Sequence, residues 1–147
     1  MLIRQLSIFL ENRQGKFAEI ARLLGNNNIN MKAFTVSESD DFGIARIIVE
    51  KNDIDRAYNL LKANSYAVSI HHVNYLNSPN KPGTMAIAME ELSKAGVSIE
   101  YMYAFADDDS HLSHLVIRTN NDELATQILS ERSEEHTSEL QSPGSIS

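Results

Sequence analysis

Residues 11–24 read ENRQGKFAEIARLL, and residues 79–92 read PNKPGTMAIAMEEL. In each stretch a polar loop ends in a glycine and opens an amphipathic segment, and Gly83 follows Gly15 by 68 positions. The same offset, without a gap, relates Asn12 to Asn80, Phe17 to Met85, Leu24 to Leu92, Ile29 to Val97, Val49 to Ile117, Ala57 to Ala125 and Leu61 to Leu129. A repeat of this length is a small domain rather than a solenoid unit. The chain therefore contains two copies of one domain, and we expect two copies of one site.

The spacing of apolar residues predicts the order β-α-β-β-α-β in the first copy. Alternation predicts strands, and stripes such as Phe17, Ile20 and Leu24 predict amphipathic helices. A glycine and three asparagines end the first helix, and Asn52 or Asp53 is suited to capping the second. The predicted elements are strand 6–10, helix 17–24, strands 29–36 and 42–49, helix 54–61 and strand 66–73.

The second copy repeats this order up to its last helix. Its predicted elements are strand 73–76, helix 85–92, strands 97–105 and 112–117, and helix 124–129. The order is that of a ferredoxin-like fold, an antiparallel sheet with both helices on one face. We therefore predict an α+β protein of two ferredoxin-like units, with domain limits at 1–71 and 72–131 and no linker between them.

The closing strand of the second copy is missing from the sequence. The offset places it at residues 134–141, which read EEHTSELQ and are polar, acidic and without alternation. Residues 132–142 (RSEEHTSELQS) resemble the translated read of a common sequencing adapter. We interpret residues 132–147 as a non-native tail and leave them out of the fold prediction; the alternative is a natural disordered tail.

Composition excludes several classes of protein. The net charge of −7 argues against a nucleic-acid binder, which needs a basic surface, and the absence of cysteine excludes disulfides and thiolate chemistry. The apolar start at residues 2–10 is too short to span a bilayer and lacks the basic region of a signal peptide. We predict a soluble cytoplasmic protein without a cofactor or a metal.

The fifth predicted strand is apolar on both faces. Tyr101, Tyr103 and Phe105 alternate on one face, and Met102 and Ala104 occupy the other. We expect the face without helices to meet another layer, and a homodimer is the simplest source of one. The alternative, a platform on which RNA bases stack, is disfavoured by the negative charge.

The two glycine loops are the best candidates for a ligand site. Glycine lets the backbone approach a ligand closely, and the first N–H groups of the following helix carry a partial positive charge that attracts a carboxylate. Side chains and carbonyls at the start of the next strand are suited to an ammonium group, so the two elements together suit a free α-amino acid. The candidate residues are Asn12, Arg13, Gln14, Gly15, Asn28, Ile29 and Asn30, with Asn80, Lys81, Pro82, Gly83, Gly96, Val97 and Ser98 in the second copy. The alternative is that the glycines only permit a tight turn.

Several segments resemble the ACT domain. They are residues 80–83 (NKPG) before a helix, residues 95–99 (AGVSI), and the counterparts 11–17 (ENRQGKF) and 28–31 (NINM). Residues 99–105 (IEYMYAF) resemble the second repeat of stand-alone tandem ACT proteins. The resemblance covers residues 2 to about 131 and implies a non-catalytic regulatory module that binds an amino acid at domain interfaces and controls a partner metabolic enzyme. Gln14 departs from the family, which commonly has proline there.

Two other functions stay open. An acylphosphatase-like hydrolase would use Arg13 to hold phosphate and Asn52 to orient water, but the duplication replaces Arg13 with Lys81. A purely structural dimerisation module would need no ligand. Metal binding is disfavoured because the neighbouring residues His71 and His72 point to opposite faces of a strand.

Overall fold

The computed structural model describes residues 1–11, 14–39, 41–79, 82–106 and 112–136. Its elements are β1 (Leu2–Glu11), α1 (Lys16–Asn26), β2 (Met31–Glu38), β3 (Phe42–Val49), a 3₁₀ turn (Lys51–Asp53), α2 (Ile54–Ala63), β4 (Ala67–Pro79), α3 (Thr84–Lys94), β5 (Ile99–Ala106), β6 (Leu112–Thr119) and α4 (Asp122–His136). The predicted α+β class with two ferredoxin-like units is confirmed.

The chain divides into two compact units. The first unit is Arg4–His71, and the second joins Met1–Ile3 to the chain from His72 onward. The division therefore falls inside β1 and inside β4. The predicted strands 66–73 and 73–76 are both part of the continuous strand β4. Where the second domain ends stays a prediction, since α4 continues through residues 132–136 and the rest of the proposed tail lies outside the described residues.

The first unit has the complete strand set of its fold. Its strands follow the order β2-β3-β1-β4, and β1 pairs antiparallel with β3 so that Leu6 faces Ile47 and Leu10 faces Gly43. Alternate residues of the sheet turn to α1 and α2 and form the core, which consists of Leu6, Ile8, Leu10, Ile20, Leu24, Ile29, Ala45, Ile47, Val49, Ile54, Ala57, Leu61 and Val68.

Within the described residues, the second unit repeats this packing with fewer strands. Its order is β4-β6-β5, and its core consists of Leu76, Ala88, Leu92, Val97, Leu115, Ile117, Ala125 and Leu129. The described residues end with α4 at His136, and residues 134–136, where the repeat offset places the start of the closing strand, are helical. The sequence predicts uncovered backbone groups at this edge, but the Tyr75 N–H donates to the Met1 carbonyl at 2.8 Å, so the start of the chain covers part of it.

Two predicted strands begin later than the sequence indicates. β2 starts at Met31 and β5 at Ile99, because the preceding residues still close the helices. Asn28 and Gly96, which occupy equivalent positions, have left-handed φ angles of 58° and 77°. The next N–H group bonds back into the helix in both units, Ile29 to the Leu24 carbonyl and Val97 to the Leu92 carbonyl. This arrangement is a common way to end a helix.

Candidate functional site

Both predicted glycine loops have the backbone shape that the sequence implies. Gly15 precedes α1 with φ 85°, and Gly83 precedes α3 with φ 86°. Residues with a side chain avoid this left-handed region. Apart from its chain neighbours, no described residue lies within 4 Å of a Cβ added at either glycine, so conformation and not crowding selects glycine here.

Because glycine has no side chain, neither loop glycine can cap its helix with a side-chain hydrogen bond. The Gly15 carbonyl accepts the first helical hydrogen bond from the Glu19 N–H at 3.0 Å, and the Gly83 carbonyl accepts one from Ile87 at 3.2 Å. The amides between them lie in the first turn and have no partner inside the helix. Their partial positive charge attracts an anion, so the end of each helix is suited to a carboxylate.

The loop of the first unit borders a cavity of about 440 Å³. This volume lies in the usual range for small-molecule sites, about 300–1,000 Å³. The cavity runs from the start of α1 to the end of β2 and the start of β3. Its lining combines apolar groups, Leu10, Phe17, Ala18, Val36 and Gly43, with polar groups, Glu11, Gln14, Gly15, Lys16 and Glu38.

The charged groups around this cavity are unevenly distributed. The Lys16 ammonium lies 3.5 Å from a Glu19 carboxylate oxygen, and the Tyr66 hydroxyl donates to the same oxygen at 3.1 Å. The ammonium also lies 5.8 Å from the centre of the Tyr66 ring. Lys16 is therefore held by Glu19 and Tyr66 on the side of α1, while two acidic residues, Glu11 and Glu38, also line the cavity.

The second unit keeps the loop but changes its surroundings. At the repeat offset Glu11 becomes Pro79 and Glu38 becomes Ala106, so both carboxylates are absent. Gly43 becomes His111, which lies outside the described residues. The residue types at these equivalent positions therefore differ between the two units.

The other predicted site residues lie at the far end of α1. Eleven helical residues separate Gly15 from this end, which corresponds to about 16 Å, so one unit does not bring Gly15 and Asn30 together. Ile29 and Val97 are 3% and 6% exposed and belong to the cores, so their side chains cannot reach a ligand. The asparagine and serine side chains at Asn30 and Ser98 are exposed.

Helix closure accounts for part of this predicted set. Asn28 and Gly96 supply the left-handed residues that end α1 and α3. Ser98 is tied by its backbone to Asn120, whose side-chain oxygen accepts from the Ser98 N–H at 2.9 Å. The Asn120 N–H in turn donates to the Ser98 carbonyl at 3.1 Å. These contacts explain the residue pattern without a ligand.

Four predicted residues, Asn12, Arg13, Asn80 and Lys81, lie outside the described residues. Gln14 and Pro82 are exposed beside their glycines. Within the described parts of the chain, no group of three or more metal-binding side chains occurs. In those same parts, no helix is long and apolar enough to cross a bilayer.

The sequence analysis missed the wall of the cavity that β2 and β3 supply. Val36, Glu38 and Gly43 reach the loop only through the pairing of their strands. One signal was available, because a glycine inside an otherwise apolar strand often marks a close approach.

The sequence model of a family described as an ACT domain pair matches residues 1–141. The chain belongs to the ACT domain pair family. Among solved structures, this ACT domain pair is similar to protein BT0572 from Bacteroides thetaiotaomicron, with 43% identity over 90% of this chain and 89% of that chain and a TM-score of 0.81.

More distant structures share the fold alone. The ligand-free regulatory subunit of aspartate kinase from Thermus thermophilus is 14% identical, with a TM-score of 0.61 over 89% of this ACT domain pair and 96% of that chain. The corresponding subunit from Thermus flavus is also 14% identical, with a TM-score of 0.58 over 89% and 94% of the two chains. No curated protein matches the chain.

Proposed function

We propose that this ACT domain pair is a non-catalytic regulator that binds a free amino acid at its glycine loops. One observation carries the proposal: the left-handed Gly15 opens α1 beside a cavity of about 440 Å³. The helix amides at one side of this cavity complement a carboxylate. Glu11 and Glu38 complement an ammonium group, and a free α-amino acid carries both charges.

Binding would act on a partner enzyme through a change in conformational populations. A ligand shifts an equilibrium only by binding one state better than the other, and a partner that recognises that state then experiences the coupling. The fold is shared with a regulatory subunit of aspartate kinase, which supports a regulatory role. We extend the proposal to a cytoplasmic homodimer whose partner is a metabolic enzyme.

Calorimetric titration of the intact chain against the twenty amino acids tests the function. We expect one amino acid or one chemical group of them to bind with measurable heat, and no binding by any would contradict the proposal. An acyl-phosphate hydrolysis assay serves as the control for catalysis. Hydrolysis that disappears in Arg13→Ala would replace the regulator with an enzyme.

A further inference from the structure

We propose that the cavity of the first unit selects amino acids with apolar side chains, and that the second unit lacks an equivalent selective site. This inference rests on the proposed amino-acid binding and names the ligand class. It depends on three observations: the apolar floor of the cavity, the glycine that keeps the floor open, and the loss of both carboxylates in the second unit.

The floor of the cavity is an extension of the core. Leu10 is 6% exposed and belongs to the core of the first unit, and Val36 on β2 is 38% exposed at the opening. The Phe17 ring packs against the Phe34 ring with a centroid distance of 5.3 Å. When the ligand's apolar side chain enters from the loop, it moves out of water and packs against this surface, which is favourable. A polar side chain would lose part of its hydration against this apolar floor.

Gly43 keeps this floor open. It lies on the same face of β3 as the core residues Ala45 and Ile47 and pairs with Leu10 on β1. A Cβ at Gly43 would lie 3.2 Å from the Ser37 carbonyl oxygen and 3.7 Å from the Leu10 Cβ. Any side chain at position 43 would therefore occupy cavity space, so Gly43 sets the depth available to a ligand.

The charged groups fix the orientation of the ligand. The first amides of α1 lie on one side of the cavity, and the acidic residues Glu11 and Glu38 are also among its lining residues. A zwitterion held between them directs its side chain to the remaining wall, which is the apolar floor. In the second unit Pro79 and Ala106 replace the two glutamates, so neither of these two carboxylates is available to an ammonium group there.

Calorimetry with leucine and asparagine, which are similar in shape, tests the selectivity. We expect leucine to bind the full chain at least about tenfold more tightly than asparagine, with one leucine per chain. Equal affinities would overturn the selectivity, and two equal leucine sites per chain would overturn the difference between the units.

Matched variants test the assigned cavity. Val36→Asp places a charge at the apolar opening and should weaken leucine binding at least about tenfold. Ala104→Asp makes the same charge change at the equivalent exposed position of the second unit and should leave leucine binding unchanged. Glu38→Gln should weaken leucine binding, while Glu90→Gln, on the exposed surface of α3, should not.

The possible outcomes distinguish a failure of the proposed selectivity from a failure of the proposed amino-acid binding. If none of the twenty amino acids binds, the proposed function fails and takes the cavity assignment with it. If amino acids bind but Val36→Asp and Ala104→Asp have equal effects, the function survives and the selective cavity is wrong. Melting temperatures of all four variants show that each is folded under the titration conditions.

Discussion

At the scale of single residues, Gly15 and Gly83 adopt the same left-handed backbone conformation in two loops with different surroundings. Their φ angles, 85° and 86°, differ by less than the normal scatter of a backbone angle. Neither has a neighbour within 4 Å of an added Cβ. The backbone requirement is therefore shared, and only the surroundings distinguish the first loop from the second.

The substitutions Gly15→Ala and Gly83→Ala separate these two contributions. Each should lower the free energy of unfolding by about 1 kcal/mol, because alanine is strained at a left-handed φ. Gly15→Ala should also weaken amino-acid binding, and more than Gly83→Ala does, since the first loop borders the cavity that Glu11 and Glu38 line. Urea unfolding measures the first effect and calorimetry the second. Equal loss of binding in both variants would show that the loops are functionally equivalent.

At the scale of elements, the sequence predicts what depends on local spacing. The strand 42–49 has the bounds that alternation indicates, and the helical stripes identify the buried faces of α1 and α2. β2 begins two residues late because Asn28, rather than the glycine at position 25, supplies the left-handed residue. Asp53 is the residue before α2 as predicted, but its carboxylate pairs with Arg56 instead of capping the helix.

Only the loop half of the candidate site could be predicted from the sequence, again because sequence patterns report local spacing. The loop at Gly15 is contiguous in sequence and can be recognised from residue types alone. The opposite wall at Val36, Glu38 and Gly43 is defined by strand register, such as the pairing of Leu10 with Gly43. A single sequence does not fix register in detail, because neighbouring alternations satisfy the same apolar pattern.

The attachment of α4 to β4 gives a prediction at this scale. The side chain of Asn74 is fully buried; its oxygen accepts from the Thr126 hydroxyl at 2.8 Å, and its nitrogen donates to the Asp122 carbonyl. Thr126→Val leaves the buried oxygen without this donor, which should lower the free energy of unfolding by about 1–3 kcal/mol. Ser130→Ala, at an exposed position of the same helix, is the control for urea unfolding. A Thr126→Val variant as stable as Ser130→Ala would show that the Asn74 contact contributes nothing.

At the scale of the whole molecule, the described parts of the two units differ in their number of strands. The first unit pairs four strands, whereas in the second β4, β6 and β5 are joined at one edge by Met1–Ile3. Residues 134–136, where the repeat offset places the start of a closing strand, belong to α4. An incompletely paired edge exposes backbone donors and acceptors and favours association with other chains.

Replacing the residues after Glu131 with the segment 64–73 (NSYAVSIHHV) tests whether the second unit needs a fourth strand. The repeat offset aligns this segment with the position where the closing strand is due. Added strand pairing and apolar burial should raise the melting temperature by several degrees, since about 1 kcal/mol corresponds to roughly 2–8 °C for units of this size. A chain with the same ten residues in scrambled order is the control, because it keeps composition and removes alternation. If both chains melt at the temperature of the present sequence, the edge is already satisfied and the interpretation of residues 132–147 as a non-native tail loses its structural support.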